Sequence, residues 1–382
     1  MAYTTIDDPE KHFQCVTYTG NGSSRTISYP NADADLDADM IWIKQRDGDA
    51  TSHTIFDTVR GAQEAIFTNN VNAETTRTDA ISAFGTDDFD LGSNGDLNSS
   101  SQKYIAWCWK VGTSFSNDAS ATSVGDIDSS GSVNTDAGIS LCSFTGNGSN
   151  SQTVKHGLST APELIILKAR GQGTYGWITY DVINGAGKYL TLNNTDALVS
   201  DTGMWSNTAP TSSVFSLSNG GNTAITNPNT VTMMAYCFAG KQGFSKFGSF
   251  EGNNDADGSF VYLGFKPAWI IIKDVDSSNT VGGSAATSWG IWDSKRMPAN
   301  PASNPLFANK DTRETLRGNA SSANTGGSDG NGLGGFIHLD MLSNGFKCRS
   351  ATAELNDTQT YVYMAFAEAP FVNSNGVPCN AR

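Results

Sequence analysis

One short segment opens three successive stretches of this chain. Tyr18-Thr19-Gly20-Asn21-Gly22-Ser23 recurs as Phe144-Thr145-Gly146-Asn147-Gly148-Ser149 and, more loosely, as Phe250-Glu251-Gly252-Asn253-Asn254. An apolar run closed by lysine follows each time: Met40 to Lys44, Leu164 to Lys168 and Trp269 to Lys273. Next comes an aromatic or β-branched run ending in aspartate, read as Ile55-Phe56-Asp57, Trp177 to Asp181 and Trp289 to Asp293. The last run is Tyr104 to Trp109, Met233 to Phe238 and Tyr363 to Ala367. Four landmarks in one order, three times over, constrain the architecture more than any local propensity does. The period, roughly 105 to 130 residues, is that of a whole small domain and not of a solenoid unit.

Within each stretch, short β-branched and aromatic runs alternate with Gly, Asn and Ser turns, and helical periodicity never lasts beyond about two turns. The expected fold is all-β, three tandem β-sandwich repeats of jelly-roll-like type, because roughly seven strands in about 110 residues suit two sheets better than one barrel. The lysine-ended runs are apolar at both alternate positions, as inner strands covered on two sides should be, whereas Thr153 to His156 and Phe346 to Arg349 alternate. The expected boundaries are an arm at 1–12, repeats at 13–112, 138–240 and 241–371, a Ser/Asp/Gly-rich linker at 113–137, and a tail at 372–382. Each repeat is long enough to have its own core.

Charge narrows the function. The 382 residues carry a formal net charge of −14, which opposes binding to nucleic acid, since phosphate contact draws on clustered Lys and Arg. No charged leader with an apolar core follows Met1, and no apolar run approaches a bilayer span, so a soluble chain is expected where it is made. The six cysteines, Cys15, Cys108, Cys142, Cys237, Cys348 and Cys379, form no Cys-x-x-Cys pair, and most lie in apolar runs, as free thiols in a reducing compartment would.

Two patterns imitate enzyme signatures. Gly326-Gly327-Ser328-Asp329-Gly330 fits a nucleophile elbow and Gly330 to Gly335 a dinucleotide fingerprint, but both need a following helix, and Phe336-Ile337-His338-Leu339 reads as strand. His12, His53, His156 and His338 are scattered over different repeats and no carboxylate pair stands out, so no catalytic residue is assigned. Asp33, Asp35, Asp37 and Asp39 alternate just before an inner strand; they read either as a Ca²⁺ loop, which takes roughly six to eight oxygen ligands, or as a solvated acidic turn. Asn253, Asp255, Asp257 and Gly258 resemble half of such a loop, with Gly264 where its bidentate Glu belongs. Most aromatic residues lie in the repeated strand runs and read as core; Trp205, in the 201–211 loop, is the clearest candidate for exposure and so the candidate residue for stacking on a ligand.

The landmarks, with His156-Gly157-Leu158, Ala161-Pro162, Tyr262-x-Gly264-Phe265-x-Pro267-Ala268-Trp269 and Leu342-Ser343-Asn344-Gly345-Phe346-Lys347, resemble a family of virion repeat proteins of marine bacteriophages. The likeness runs from about Phe13 to Phe371, although Tyr29-Pro30 and the acidic stretch 31–39 replace the His-Gly-Leu segment in the first repeat. It implies a virion protein made in the bacterial cytoplasm and brings no catalytic residues. Since no shaft of heptads or collagen triplets is present, the expectation is a compact tail-fibre tip or head knob that contacts the host surface. The alternatives are a capsid decoration protein and, from another class, a glycan-cleaving tail enzyme. Expected partners are other virion proteins and a host glycan or protein, with the ends as tethers and homo-trimers as the assembly.

Overall fold

The computed structural model describes residues 2–48, 51–219, 226–276, 287–314 and 338–379, and the strands Thr280–Val281 and Ser284–Ala285 by their backbone. Strand accounts for 43 % of the chain and helix for 4 %, which makes the fold all-β. The described helices are single turns such as Gly95–Asn98 and Ala119–Thr122, and none is long and apolar enough to cross a membrane.

Three large antiparallel sheets carry the landmarks. In the first, Phe13–Thr19 pairs with Lys103–Trp109, followed in space by Met40–Gln45, Thr54–Asp57 and Gly61–Phe67. The second runs Ile139–Thr145, Thr232–Phe238, Leu164–Ala169, Ile178–Asp181, Lys188–Thr191. The third runs Ser245–Glu251, Thr360–Pro370, Phe265–Asp274, Gly290–Asp293, Leu306–Phe307. The pairing order is the same each time: the opening strand lies beside the closing one, and the lysine-ended strand sits inside.

A smaller antiparallel sheet accompanies each large one. Arg25–Ser28, Asp88–Leu91 and Ile81–Phe84 form the first, Gln152–Lys155 and Val214–Leu217 the second, and Phe260–Tyr262, Gly345–Cys348 and Leu339–Leu342 the third. In the first unit Ile41, Ile43, Phe56 and Cys108 of the large sheet pack on Ile27, Ile81 and Phe89 of the small one. The second unit repeats this with Ile165, Leu167 and Ala235 against Val154, Phe215 and Leu217.

The opposite faces of the large sheets are buried too, against one another. Met40, Trp42 and Trp107 of the first unit, Leu164, Trp177 and Tyr236 of the second, and Trp269, Ile271 and Trp289 of the third belong to a single core cluster. This explains why the lysine-ended strands are apolar at successive positions: alternate side chains enter the unit's own sandwich and the common centre. The expectation of separate cores is corrected accordingly. The first and second units have cores of their own, but the third unit's interior is continuous with the shared centre.

The stretch 113–137, expected as a linker, instead contains Thr113–Asn117 and Ser129–Asn134, which extend the second large sheet beyond Ile139–Thr145. Small polar residues suit this edge. Ser129 Oγ donates to the Lys155 carbonyl at 2.8 Å and Ser132 Oγ to that of Gly112 at 2.9 Å, while a Cβ on Gly131 would lie 1.8 Å from the Leu141 oxygen. The N-terminal arm is seated on the third unit, with Thr4 Oγ1 donating to the Gln242 carbonyl, Tyr3 OH to that of Gly264, and Ile6 buried. The backbone N–H of Ser374 donates to Asp7, so the two ends of the described chain meet.

Candidate functional site at the junctions between units

The residues singled out by sequence do not converge. Asp33, Asp35 and Asp37 are exposed, Asp37 pairing with Lys110 at 3.1 Å. Asp39 turns inward, where Oδ2 accepts from the N–H groups of Val111 and Gly112, both at 2.7 Å, and Oδ1 from Thr58 Oγ1. Among the described residues no group of three or more His, Cys, Asp or Glu could hold a metal. Asp257 pairs with Lys347 at 2.7 Å and Arg349 at 3.0 Å.

Trp205 is corrected as well. It is only 1 % exposed, edge-on to Tyr180 with centroids 5.8 Å apart, because its loop folds back over the second unit's own core. All six cysteines are free, and Cys379 alone of them is exposed. The glycine patterns of 326–335 lie outside the described residues.

The Thr-Gly-Asn-Gly-Ser segment has a structural cause. In each unit a fully buried asparagine, Asn98, Asn227 or Asn356, accepts from the N–H of Asn21, Asn147 or Asn253 through Oδ1. Its Nδ2 donates back to the Ser23, Ser149 or Asp255 carbonyl. The glycine before the motif asparagine is required because a Cβ on Gly20, Gly146 or Gly252 would collide with the oxygen of Ser99, Pro228 or Asp357. The buried asparagines went unnoticed in the sequence because no fixed spacing ties them to the motif.

The contacts between units form a cycle. Trp177 Nε1 of the second unit donates to the Phe67 carbonyl of the first at 2.7 Å, and Trp289 Nε1 of the third to the Thr191 carbonyl of the second at 3.1 Å. The corresponding position in the first unit is His53, whose imidazole faces the Phe307 carbonyl of the third without an aligned hydrogen bond from Nε2. Backbone bonds follow the same cycle: Glu74 N to Arg170 O at 2.8 Å, Leu198 N to Val275 O at 2.9 Å, and Glu314 N to Arg46 O at 2.7 Å.

Two of the three junctions are locked by charge. At the first, the Arg60 guanidinium, fully buried, binds Asp57 through Nε and Glu74 at 2.9 Å, while Arg170 of the second unit reaches the same Glu74 at 2.8 Å. Tyr236 of the second unit adds its hydroxyl to Asp57 at 3.1 Å. Burial works against the charge on Arg60, but Asp57, Tyr236 and Glu74 together hold its pKa above the ordinary value. Burial also opposes the Glu74 carboxylate, yet its bonds to Arg170 and Arg60 bring its pKa below the usual range. Arg296, Asp293, Glu314 and Arg46 repeat this arrangement between the third and first units, with Trp107 Nε1 on Asp293 at 3.2 Å.

The junction of the second and third units lacks these ions. Asn184 stands where Arg60 and Arg296 stand, Val275 faces Leu198 in place of an Arg–Glu pair, and Met364 occupies the place of Tyr236 and Trp107. A cleft of about 50 Å³ lies there, lined by Ile166, Trp177, Thr179 and Met364 together with Glu163 and Asp181, and it reaches the common centre at Met40, Trp42 and Trp109 of the first unit. Val182 and Ile183, at its rim, are 45 % and 49 % exposed. Burial pushes the Asp181 carboxyl above its usual pKa, against the hydrogen bonds from Asn184.

Fold and junctions together define an all-β class of protein, in which sandwich-like units of one strand order close on each other around a common apolar centre. The chain belongs to the family described as a domain of unknown function, DUF7483, whose model matches residues 8–370 and so spans all three units. Neither curated proteins nor solved structures supplied a match.

Proposed function

We propose that this chain is a non-enzymatic structural protein of a bacteriophage virion, a compact surface appendage built from three divergent copies of one β-sandwich. The observation that carries the reading is the closed cycle of junctions. Buried Asp, Glu and Arg side chains, the groups from which an enzyme would be built, pair with each other within a unit, and Glu74 and Glu314 extend the pairing to Arg170 and Arg46 of the neighbouring unit, which ties the units together. Such a body suits a knob or tip that presents loops on a fixed support. Viral context comes from the sequence resemblance. Partners are other virion proteins and a host-surface glycan or protein, with many copies per particle raising a weak single-site affinity by avidity.

Localisation in a reconstruction of the intact particle tests this. Density at the tail or as a discrete head knob supports an appendage. A regular array over the shell transfers the chain to capsid decoration, and its absence from purified particles rejects the virion assignment.

A further inference from the structure

The two locked junctions show what the third is missing. At each of them a guanidinium lies against the aspartate that ends the fourth strand, donating through Nε to that carboxylate and through Nη2 to the Ile55 or Ile291 carbonyl at 2.9 or 3.0 Å. In the second unit the corresponding aspartate, Asp181, remains, but its partner at +3 is the shorter Asn184, whose amide reaches the carboxylate and nothing beyond it. Lys188 acts on this carboxylate only through space.

We propose that the cleft between the second and third units is a binding site for an arginine side chain on a partner polypeptide. Three observations point to that chemistry. First, Asp181 accepts the N–H of Asn184 as Asp57 and Asp293 accept those of Arg60 and Arg296, so the same turn carries a carboxylate that lines the cleft, here without the guanidinium that covers the other two. Second, Thr179 is 1 % exposed, lines the same cleft, and its Oγ1 has no hydrogen-bond partner, an acceptor left unmatched where the other units carry Ile55 and Ile291. Third, Trp177 and Tyr236, stacked at 6.1 Å and buried, form part of the inner wall, so the aliphatic stem of an arginine entering the cavity meets apolar and aromatic surroundings. The open volume of about 50 Å³ is several times the ~10–15 Å³ that one water needs, enough for the head of such a group.

A polypeptide occupant, rather than a free small cation, follows from the rim. Val182 and Ile183 are exposed side by side at the mouth, and apolar neighbours of the arginine would cover them while Glu163 supplies a second negative charge. The inference does not depend on the virion reading.

The test is titration calorimetry on the full chain with n-butylguanidinium, which carries the head and an aliphatic stem. Saturable binding to one site is expected, with a loss of at least ~tenfold in Asp181→Asn and abolition in Asn184→Arg, where the chain supplies its own guanidinium. Thr179→Val, a change of one polar atom, provides a variant that keeps the packing and should weaken binding severalfold. An acetylated Leu-Arg-Leu amide should bind ~tenfold tighter than n-butylguanidinium, and Ile183→Ser should erase that advantage without altering n-butylguanidinium binding. No saturable binding to the wild-type chain, or equal binding to Asn184→Arg, overturns the site. A peptide no tighter than n-butylguanidinium overturns the polypeptide occupant.

Discussion

Replacing Trp177 by Phe isolates the hydrogen bond that joins the second unit to the first. The indole N–H reaches the Phe67 carbonyl at 2.7 Å and the side chain is fully buried, so phenylalanine removes both a donor and part of the packing. The lost apolar surface, roughly 40 Å² at about 25 cal/mol per Å², accounts for ~1 kcal/mol. A buried carbonyl without its donor adds ~1–3 kcal/mol, for a total of ~2–4 kcal/mol. Trp205 in the same unit supplies the control: it is just as buried, but its Nε1 has no partner, so Trp205→Phe should cost the packing part alone, ~1 kcal/mol. Urea denaturation followed by circular dichroism, comparing variants with unchanged slope, gives the difference. If Trp177→Phe costs no more than Trp205→Phe, the junction bond contributes nothing and the reasoning about latches fails.

Acid stability should depend on His156. Burial lowers its pKa to about 4, despite its contact with the Thr211 carbonyl, while the unfolded chain titrates near 6.5. Between those values the unfolded state binds more protons, so the stabilisation is complete above pH 6.5, falls as the pH falls and is gone below about 4, roughly 3 kcal/mol in all; His156→Gln should flatten this part of the profile in pH-dependent denaturation. Asn227→Ala should cost ~3 kcal/mol, since it breaks bonds to Asn147 N, Asn147 Oδ1 and Ser149 O in a site closed to water, and a midpoint shift below ~1 kcal/mol would reject the clamp. Glu74→Gln leaves both Arg60 and Arg170 without their shared charge and should destabilise by ~2–3 kcal/mol, measurably less at 1 M salt for Arg170, whose side chain is 20 % exposed, than for the buried Arg60 in single-arginine backgrounds.

The all-β class and the inner strands were legible because a buried strand must be apolar at successive positions, and Met40 to Lys44 and its counterparts are. The junction aspartates were visible as landmarks, and the residue three places on, Arg60, Asn184 or Arg296, could have been read with them. The shared centre was not legible, because the apolar pattern of an inner strand is the same whether its second face meets a sheet of its own unit or of another. The linker expectation failed because edge strands such as Ser129–Asn134 are held by backbone and serine bonds rather than apolar bulk. Trp205 was misread because loop composition does not reveal that the loop folds inward. In the last strand, Tyr361 and not Tyr363 takes the place of Tyr104, as the pairings Met40 with Trp109 and Trp269 with Phe366 require. A slip of two residues keeps every side chain on its face, so hydrophobic alternation cannot detect it.

The cycle of junctions is formed within one polypeptide, and that has an evolutionary consequence. In an assembly of three identical chains every substitution at a contact is imposed three times, and a change tolerable at one contact must be tolerable at all. Here one unit carries Asn184 at the position where the other two carry Arg60 and Arg296. Covalent linkage thus lets one seam differ in chemistry while the other two keep their charged contacts.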